Sequence, residues 1–314
     1  MSPSSRPLPN VAPPTPTLAD LAKIVELRTK IVSMSSLAIG TLWAAAGGAF
    51  SWATFALMLA ATLCVDLATA GFNSYYDHRN GVDTPATDVD GYKVLVHRGI
   101  DPKVALRVSS GLFALAGVFG LALGARVGWE VVGVGVVCMA IAWGYSGGPW
   151  PLSRLPVGEA FAGGAMGLVL IALSAYVQTG FLDARTLALG LPSTLLIAAI
   201  LATNNACDHI GDAAGGRRTL AIVVGVRGAV RVVEVQVVGG FVFAFGLTAA
   251  GVLPVFSAVP LLLAAALAAW LLAGMRARGY SHLTKGATMG GISAIFLAYT
   301  ASVAGSLAFE LLRR

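Results

Sequence analysis

The stretch Asn73-Ser-Tyr-Tyr-Asp77-His-Arg-Asn-Gly-Val-Asp83 follows a long apolar run, so two carboxylates and an amide sit where a helix would leave a membrane. About 130 residues later, Asn204-Asn205-Ala-Cys-Asp208-His-Ile-Gly-Asp212 repeats the arrangement, again after an apolar run. The chain holds only 15 acidic residues in 314. Two Asn/Asp clusters in matching positions therefore read as one site built by two halves.

Composition sets the surroundings of that site. The chain is 57% hydrophobic and 11% charged, with a mean hydropathy of +0.79. A soluble protein carries about 25% charged residues, so this chain cannot cover a water-facing surface. A spanning helix needs about 20 apolar residues, and many such windows are present. The expected fold is an all-α, polytopic membrane protein with the lipid bilayer as its partner. The net charge of +6 does not point to nucleic acid, because the basic residues fall between apolar spans. No P-loop or GxGxxG stretch supports nucleotide binding. Cys64, Cys138 and Cys207 show no CxxC spacing, which argues against a disulfide framework or zinc site.

Nine spans are expected, roughly at 31–49, 52–73, 104–125, 128–146, 157–177, 185–206, 229–250, 255–275 and 287–310. Residues 1–17, rich in Pro and Ser, read as a disordered tail. Residues 18–314 read as a single transmembrane domain, with 18–30 as an interfacial lead-in. Placing the N-terminus in the cytoplasm puts all but four of the 21 Lys and Arg on that side; the exceptions are Arg126, Arg185, Arg313 and Arg314. The positive-inside rule favours this orientation in a cell membrane, with the C-terminus opposite. Both acidic motifs then face the cytoplasm.

The motifs suit a metal-bound anion. Asp208 and Asp212, at i and i+4, share one helical face, and adjacent carboxylates repel unless a cation lies between them. Mg²⁺ takes oxygen ligands and commonly uses one or two carboxylates together with substrate phosphates. Asn73 and Asp77 have the same spacing, and Asn80-Gly81 is a turn signal that lets Asp83 reach back. Four carboxylates, Asp77, Asp83, Asp208 and Asp212, are thus candidate ligands for about two Mg²⁺ and a diphosphate. Asn204 and Asn205 are placed to orient them, and Lys93, Arg98, Arg217 and Arg218 bring positive charge nearby.

The two patterns, NxxxDxxxxxD and NNxxDxxxDxxxGxRTLA, resemble those of the UbiA superfamily of intramembrane prenyltransferases. Asp208-His-Ile-Gly-Asp212-Ala-Ala-Gly-Gly216-Arg-Arg218-Thr219-Leu220-Ala221 carries the second pattern. The wider first spacing is similar to the branch that prenylates 1,4-dihydroxy-2-naphthoate. So are Glu26-Leu-Arg28-Thr-Lys30, Tyr145-Ser-Gly-Gly-Pro149, and Gly158-Glu159 with Tyr176-Val-Gln178-Thr-Gly180. The resemblance implies nine helices around a central cavity capped by cytosolic loops. It implies an isoprenyl diphosphate held through Mg²⁺ by Asn73, Asp77, Asp83, Asn204, Asp208 and Asp212, with Arg218 and Lys93 on the phosphates. An electron-rich aromatic acceptor would then be prenylated. Tyr145 is a candidate to line the cavity, where an aromatic face can stabilise a cation.

Two residues depart from that branch. Cys207 stands where its members usually have Arg before the Asp. Asp66 lies within the second span, two turns below Asn73, and an intramembrane carboxylate is a functional candidate by default. It is expected to bind or deprotonate an acceptor, to steady a cation, or to bond to a neighbouring helix. These departures leave open another aromatic acceptor, or a terpene cyclase in which the cation attacks its own chain. Glu159 and Glu234 are expected near cytoplasmic helix ends, in a solvated or helix-capping role.

Overall fold

The computed structural model describes residues 14–84 and 92–314. The expected tail lies outside the described residues except for 14–17, as does the 85–91 part of the loop after the first motif. Every regular element among the described residues is helical. In order these are α1 (Leu18–Ile24), α2 (Ile31–Ala46), α3 (Trp52–Arg79), α4 (Val94–His97), α5 (Pro102–Arg126), α6 (Glu130–Ser146), α7 (Gly158–Gly163), α8 (Leu170–Thr179), α9 (Ala184–Ala214), α10 (Leu220–Ala249), α11 (Ala258–Arg278) and α12 (Lys285–Arg313). A π-helical turn, Gly164–Val169, joins α7 to α8 in one continuous span, and α10 is interrupted at Gly225.

Polar residues at the boundaries start three of the long helices. The Ser51 hydroxyl accepts the Thr54 amide at the head of α3. Asp101 caps α5 with Pro102 just inside it, and the Asp183 carboxylate accepts the Thr186 amide, 2.8 Å, at the head of α9. Among the described residues, seven helices are long and apolar enough to cross a membrane. The remaining two expected spans, α2 with 16 residues and α6 with 17, are shorter than the roughly 20 residues that suffice alone. Apolar side chains such as Val136, Val238, Leu262 and Trp270 stay exposed on the outside of the bundle, where lipid takes the place of water.

Two long pairs dominate the packing: α3 runs along α5, and α9 runs along α10. Helix α2 packs on α8 and α12 and ties the two pairs together. Each pair's first helix ends in an acidic motif, so the two motifs meet at one end of the bundle. The helices continue past the expected boundaries. α3 extends to Arg79 and α9 to Ala214, so Asn73, Asp77, Asp208 and Asp212 all lie on helix and not in loops.

The segment 18–30 corrects the interfacial expectation. The hydroxyl of Thr17 and the carboxylate of Asp20 form a capping box at the head of α1, and Arg98 pairs with Asp20. Glu26 then adopts a left-handed conformation (φ 49°) that turns the chain inward. Ile24 and Val25 are buried, and the Ser74 hydroxyl donates to the Ile24 carbonyl at 2.9 Å. Lys30 reaches Asp66, 11 residues before Asp77 on α3, a descent of about 16 Å at 1.5 Å per residue. The lead-in therefore dives into the bundle.

Candidate functional site: an acid-lined intramembrane cavity

Both motif helices end in the same way. After α3, Asn80, Gly81 and Val82 donate backward, with Val82 N–H reaching the Asp77 carbonyl at 2.9 Å. After α9, Gly215, Gly216 and Arg217 repeat the pattern, with Arg217 N–H on the Asp212 carbonyl at 2.9 Å. Gly81 (φ 70°) and Gly216 (φ 72°) supply the left-handed residue that this closure needs. The chain after each helix folds back over its own last turn. Asp83 is thereby brought back to Asp77, its amide 3.3 Å from the Asp77 carbonyl. By this geometry Asp77 corresponds to Asp212, and Asn73 to Asp208.

Between the ends lies a cavity of about 1000 Å³. Asn73, Asp77, Asp83, Asn204, Asn205, Asp208 and Asp212 all line it, with Lys93, Tyr145 and Asp66. Basic side chains stand between the acids. Arg217 donates to Asp77 Oδ1 at 2.8 Å and to Asp212 Oδ1 at 3.1 Å, joining the two halves. Lys93 Nζ lies 3.0 Å from Glu26 and 3.7 Å from Asp83. Lys285, at the head of α12, pairs with Asp208, and His282 Nδ1 lies 3.5 Å from the same carboxylate. The Ser146 hydroxyl donates to Asn73 Oδ1 at 2.8 Å.

Burial raises the Asp83 carboxyl above the usual carboxylate range, while Lys93 pulls the other way. Burial works against the charge on Lys93 and on Arg217. Glu26 and Asp83 outweigh it at Lys93, and Asp77 and Asp212 outweigh it at Arg217, so both are held more firmly protonated than usual.

Two expectations need correcting. Arg218 is exposed and does not line the cavity; the left-handed Gly216 aims Arg217 inward instead. Glu159 is not solvated but buried at 3% exposure, and accepts the Asn205 amide at 2.8 Å. Asp66, by contrast, is bonded to a neighbouring element, one of the readings its position allows. Its Oδ1 is 2.8 Å from Lys30 Nζ, and the Ser33 hydroxyl donates to Oδ2. Sequence reading missed Lys285, Lys30 and Glu26 as site residues; Lys285 and Lys30 begin apolar spans, where a cation ordinarily marks only the interface.

The donor set suits Mg²⁺. Asp212 Oδ2 is buried without a hydrogen-bond partner among the described residues. No three His, Cys, Asp or Glu side chains among the described residues are grouped closely enough to hold a metal by themselves.

Comparison with known proteins agrees with the helical fold. The chain is 34% identical over 197 residues to the 1,4-dihydroxy-2-naphthoate octaprenyltransferase of Bacillus subtilis (strain 168), covering 63% of each chain. It is 29% identical over 182 residues to the protein of the same name from Mycobacterium tuberculosis (strain ATCC 25618 / H37Rv), covering 57% of this chain and 62% of that one. The matched stretch thus spans less than two thirds of either relative. Its fold is shared with a UbiA homolog from Archaeoglobus fulgidus solved with DMAPP and Mg²⁺ bound, at a TM-score of 0.61 and 16% identity, covering 91% of this chain and 99% of that one. A family model matches residues 33–296, and the chain belongs to the UbiA prenyltransferase family.

Proposed function

We propose that this chain transfers an isoprenyl group from an isoprenyl diphosphate to an aromatic acceptor, with Mg²⁺ bound at the two acidic motifs. The observation that carries this reading is the cavity: four carboxylates and three basic side chains at one end of a largely apolar space of about 1000 Å³. Asp77, Asp83, Asp208 and Asp212 are the proposed metal ligands and catalytic residues, with Asn73, Asn204 and Asn205 beside them. Bound Mg²⁺ would neutralise charge on the departing diphosphate. Arg217, Lys93 and Lys285 donate N–H groups to its oxygens, Arg217 with the planar fork that suits phosphate. The bond between prenyl C1 and the diphosphate oxygen breaks, and its electron pair leaves with the diphosphate. A ring carbon of the acceptor forms the new C–C bond, and the ring regains aromaticity by expelling the group that carbon carried: a proton from an unsubstituted carbon, or CO₂ where the carbon bears the carboxylate of a naphthoate. The apolar walls keep water from the electron-poor prenyl carbon.

For the acceptor we propose 1,4-dihydroxy-2-naphthoate, which places the reaction in menaquinone biosynthesis; the two relatives bearing that substrate's name support it. We read residues 18–314 as one domain in the cell membrane. The basic residues clustered beside the motifs support a cytoplasmic site and N-terminus, with the C-terminus opposite.

The test is diphosphate release from geranyl diphosphate by the full chain, with and without the naphthoate, for the wild type, Asp77→Asn and Asp208→Asn. Both variants are expected to lose Mg²⁺-dependent release. Full activity in both would sink the site assignment. A cyclic hydrocarbon made without acceptor would replace the acceptor reading with a terpene cyclase.

A further inference from the structure

The cavity lining has two unlike parts. In one part, Leu121 of α5, Val136 of α6 and Phe161 of α7 line it and are 52%, 60% and 39% exposed. That part is apolar, as a polyprenyl tail requires. Elsewhere, Lys30, Ser33 and Asp66 line the same cavity, Asp66 about 16 Å along α3 from Asp77. An ion pair at that depth is costly in a bilayer, and the metal site does not use it.

The bonds within this cluster define what it can bind. Lys30 Nζ donates to Asp66 Oδ1 at 2.8 Å and to the Asp66 carbonyl at 3.3 Å, which uses two of its three ammonium hydrogens. Asp66 takes Lys30 on one oxygen and Ser33 on the other, and a carboxylate offers about four lone-pair sites in all. The cluster therefore still offers a donor and an acceptor side by side. A hydroxyl, which both accepts and donates, matches that pair. A carboxylate would gain the ammonium but face the charge of Asp66.

We propose that Lys30, Asp66 and Ser33 form a subsite for a ring hydroxyl of the aromatic acceptor, setting its orientation while the prenyl tail leaves along the apolar part of the lining. Lys30 and Asp66 contact the hydroxyl, and Ser33 positions Asp66. This rests on the prenyl-transfer reading given above.

The test is equilibrium binding to the full chain in nanodiscs, read by the fluorescence of two probes, 1,4-dihydroxy-2-naphthoate and 1-hydroxy-2-naphthoate, with Mg²⁺-dependent geranyl diphosphate binding measured alongside. The wild type is expected to prefer the dihydroxy probe by about tenfold. Lys30→Met and Asp66→Asn are expected to abolish that preference and leave geranyl diphosphate binding unchanged. Ser33→Ala, a milder change that keeps both ends of the ion pair, is expected to reduce it several-fold. A wild type without preference, or a preference that persists in variants still binding geranyl diphosphate, would overturn the subsite. If Lys30→Met and Asp66→Asn fail to fold, an unchanged preference in Ser33→Ala overturns it. Failure of the wild type to bind geranyl diphosphate with Mg²⁺ would count against the prenyl-transfer reading itself.

Discussion

Arg217 is the residue on which the two halves of the site converge. It bridges Asp77 and Asp212 with separate guanidinium nitrogens, so one substitution reaches both motifs. Arg217→Met is expected to lower diphosphate release by about 10²–10³-fold, the usual effect of losing one donor to developing negative charge. Arg217→Lys is expected to recover only part of it, because an ammonium cannot form the two parallel bonds. The matching variant Arg218→Met, on an exposed side chain, is expected to stay within about twofold of wild type. Comparing steady-state release rates of the three checks both statements. The carboxylates were legible in the sequence because acids are scarce in an apolar chain and their i, i+4 spacing is local. The choice between two adjacent arginines was not legible. It depends on the direction in which a left-handed Gly216 sends the next residue. Asp66 showed the same limit: its depth could be counted along a helix, but its partner Lys30 lies 36 residues away.

At the scale of elements, close approach of backbones sets the cavity's shape. The π-helical turn between α7 and α8 lies directly on α9. A Cβ on Gly167 would come within 2.5 Å of the Thr194 backbone. Gly167→Ala is therefore expected to push that turn outward and cost about 1–3 kcal/mol, read as a lower Tm in detergent or nanodiscs. The lead-in helix α1 gives a pH-dependent prediction. Hydrogen bonds from Thr17, with help from Arg98, lower the Asp20 carboxyl from 3.8 to about 2. A carboxyl whose pKa is depressed by folding contributes stability above its unfolded value, and that contribution is lost as pH falls through the folded one. Hydrogen-exchange protection of the α1 amides is expected to fall between about pH 4 and pH 2. Asp20→Asn is expected to show reduced protection at pH 7 and no further step in acid. The spans themselves were legible from hydropathy alone. The inward course of residues 18–30 was not, because a polar amphipathic segment suits an interface as well as a dive stabilised by Lys30, Ser74 and Lys93.

For the whole molecule, the charge asymmetry and the unlike parts of the cavity lining each lead to a measurement. Single cysteines placed at Arg126 and Arg314, in a background lacking Cys64, Cys138 and Cys207, are expected to react with a membrane-impermeant maleimide on intact cells. Cysteines at Arg107 and Arg276 are expected to react only after permeabilisation. The reverse pattern would invert the proposed orientation. Adding bulk to the apolar part of the lining with Ala165→Phe is expected to weaken turnover of long polyprenyl diphosphates by tenfold or so, while sparing geranyl diphosphate, as a chain-length series of kcat/KM would show. The sequence by itself determined that this is a helical membrane protein with two related acidic motifs on one face. Hydropathy and charge are additive, local quantities that survive without coordinates. Only the tertiary structure decided that Asp77 matches Asp212, that Arg217 and Lys285 hold the acids, and that Lys30 meets Asp66 in the cavity. Those are contacts between segments far apart in the chain, and they follow from how helix ends close and how the two helix pairs pack.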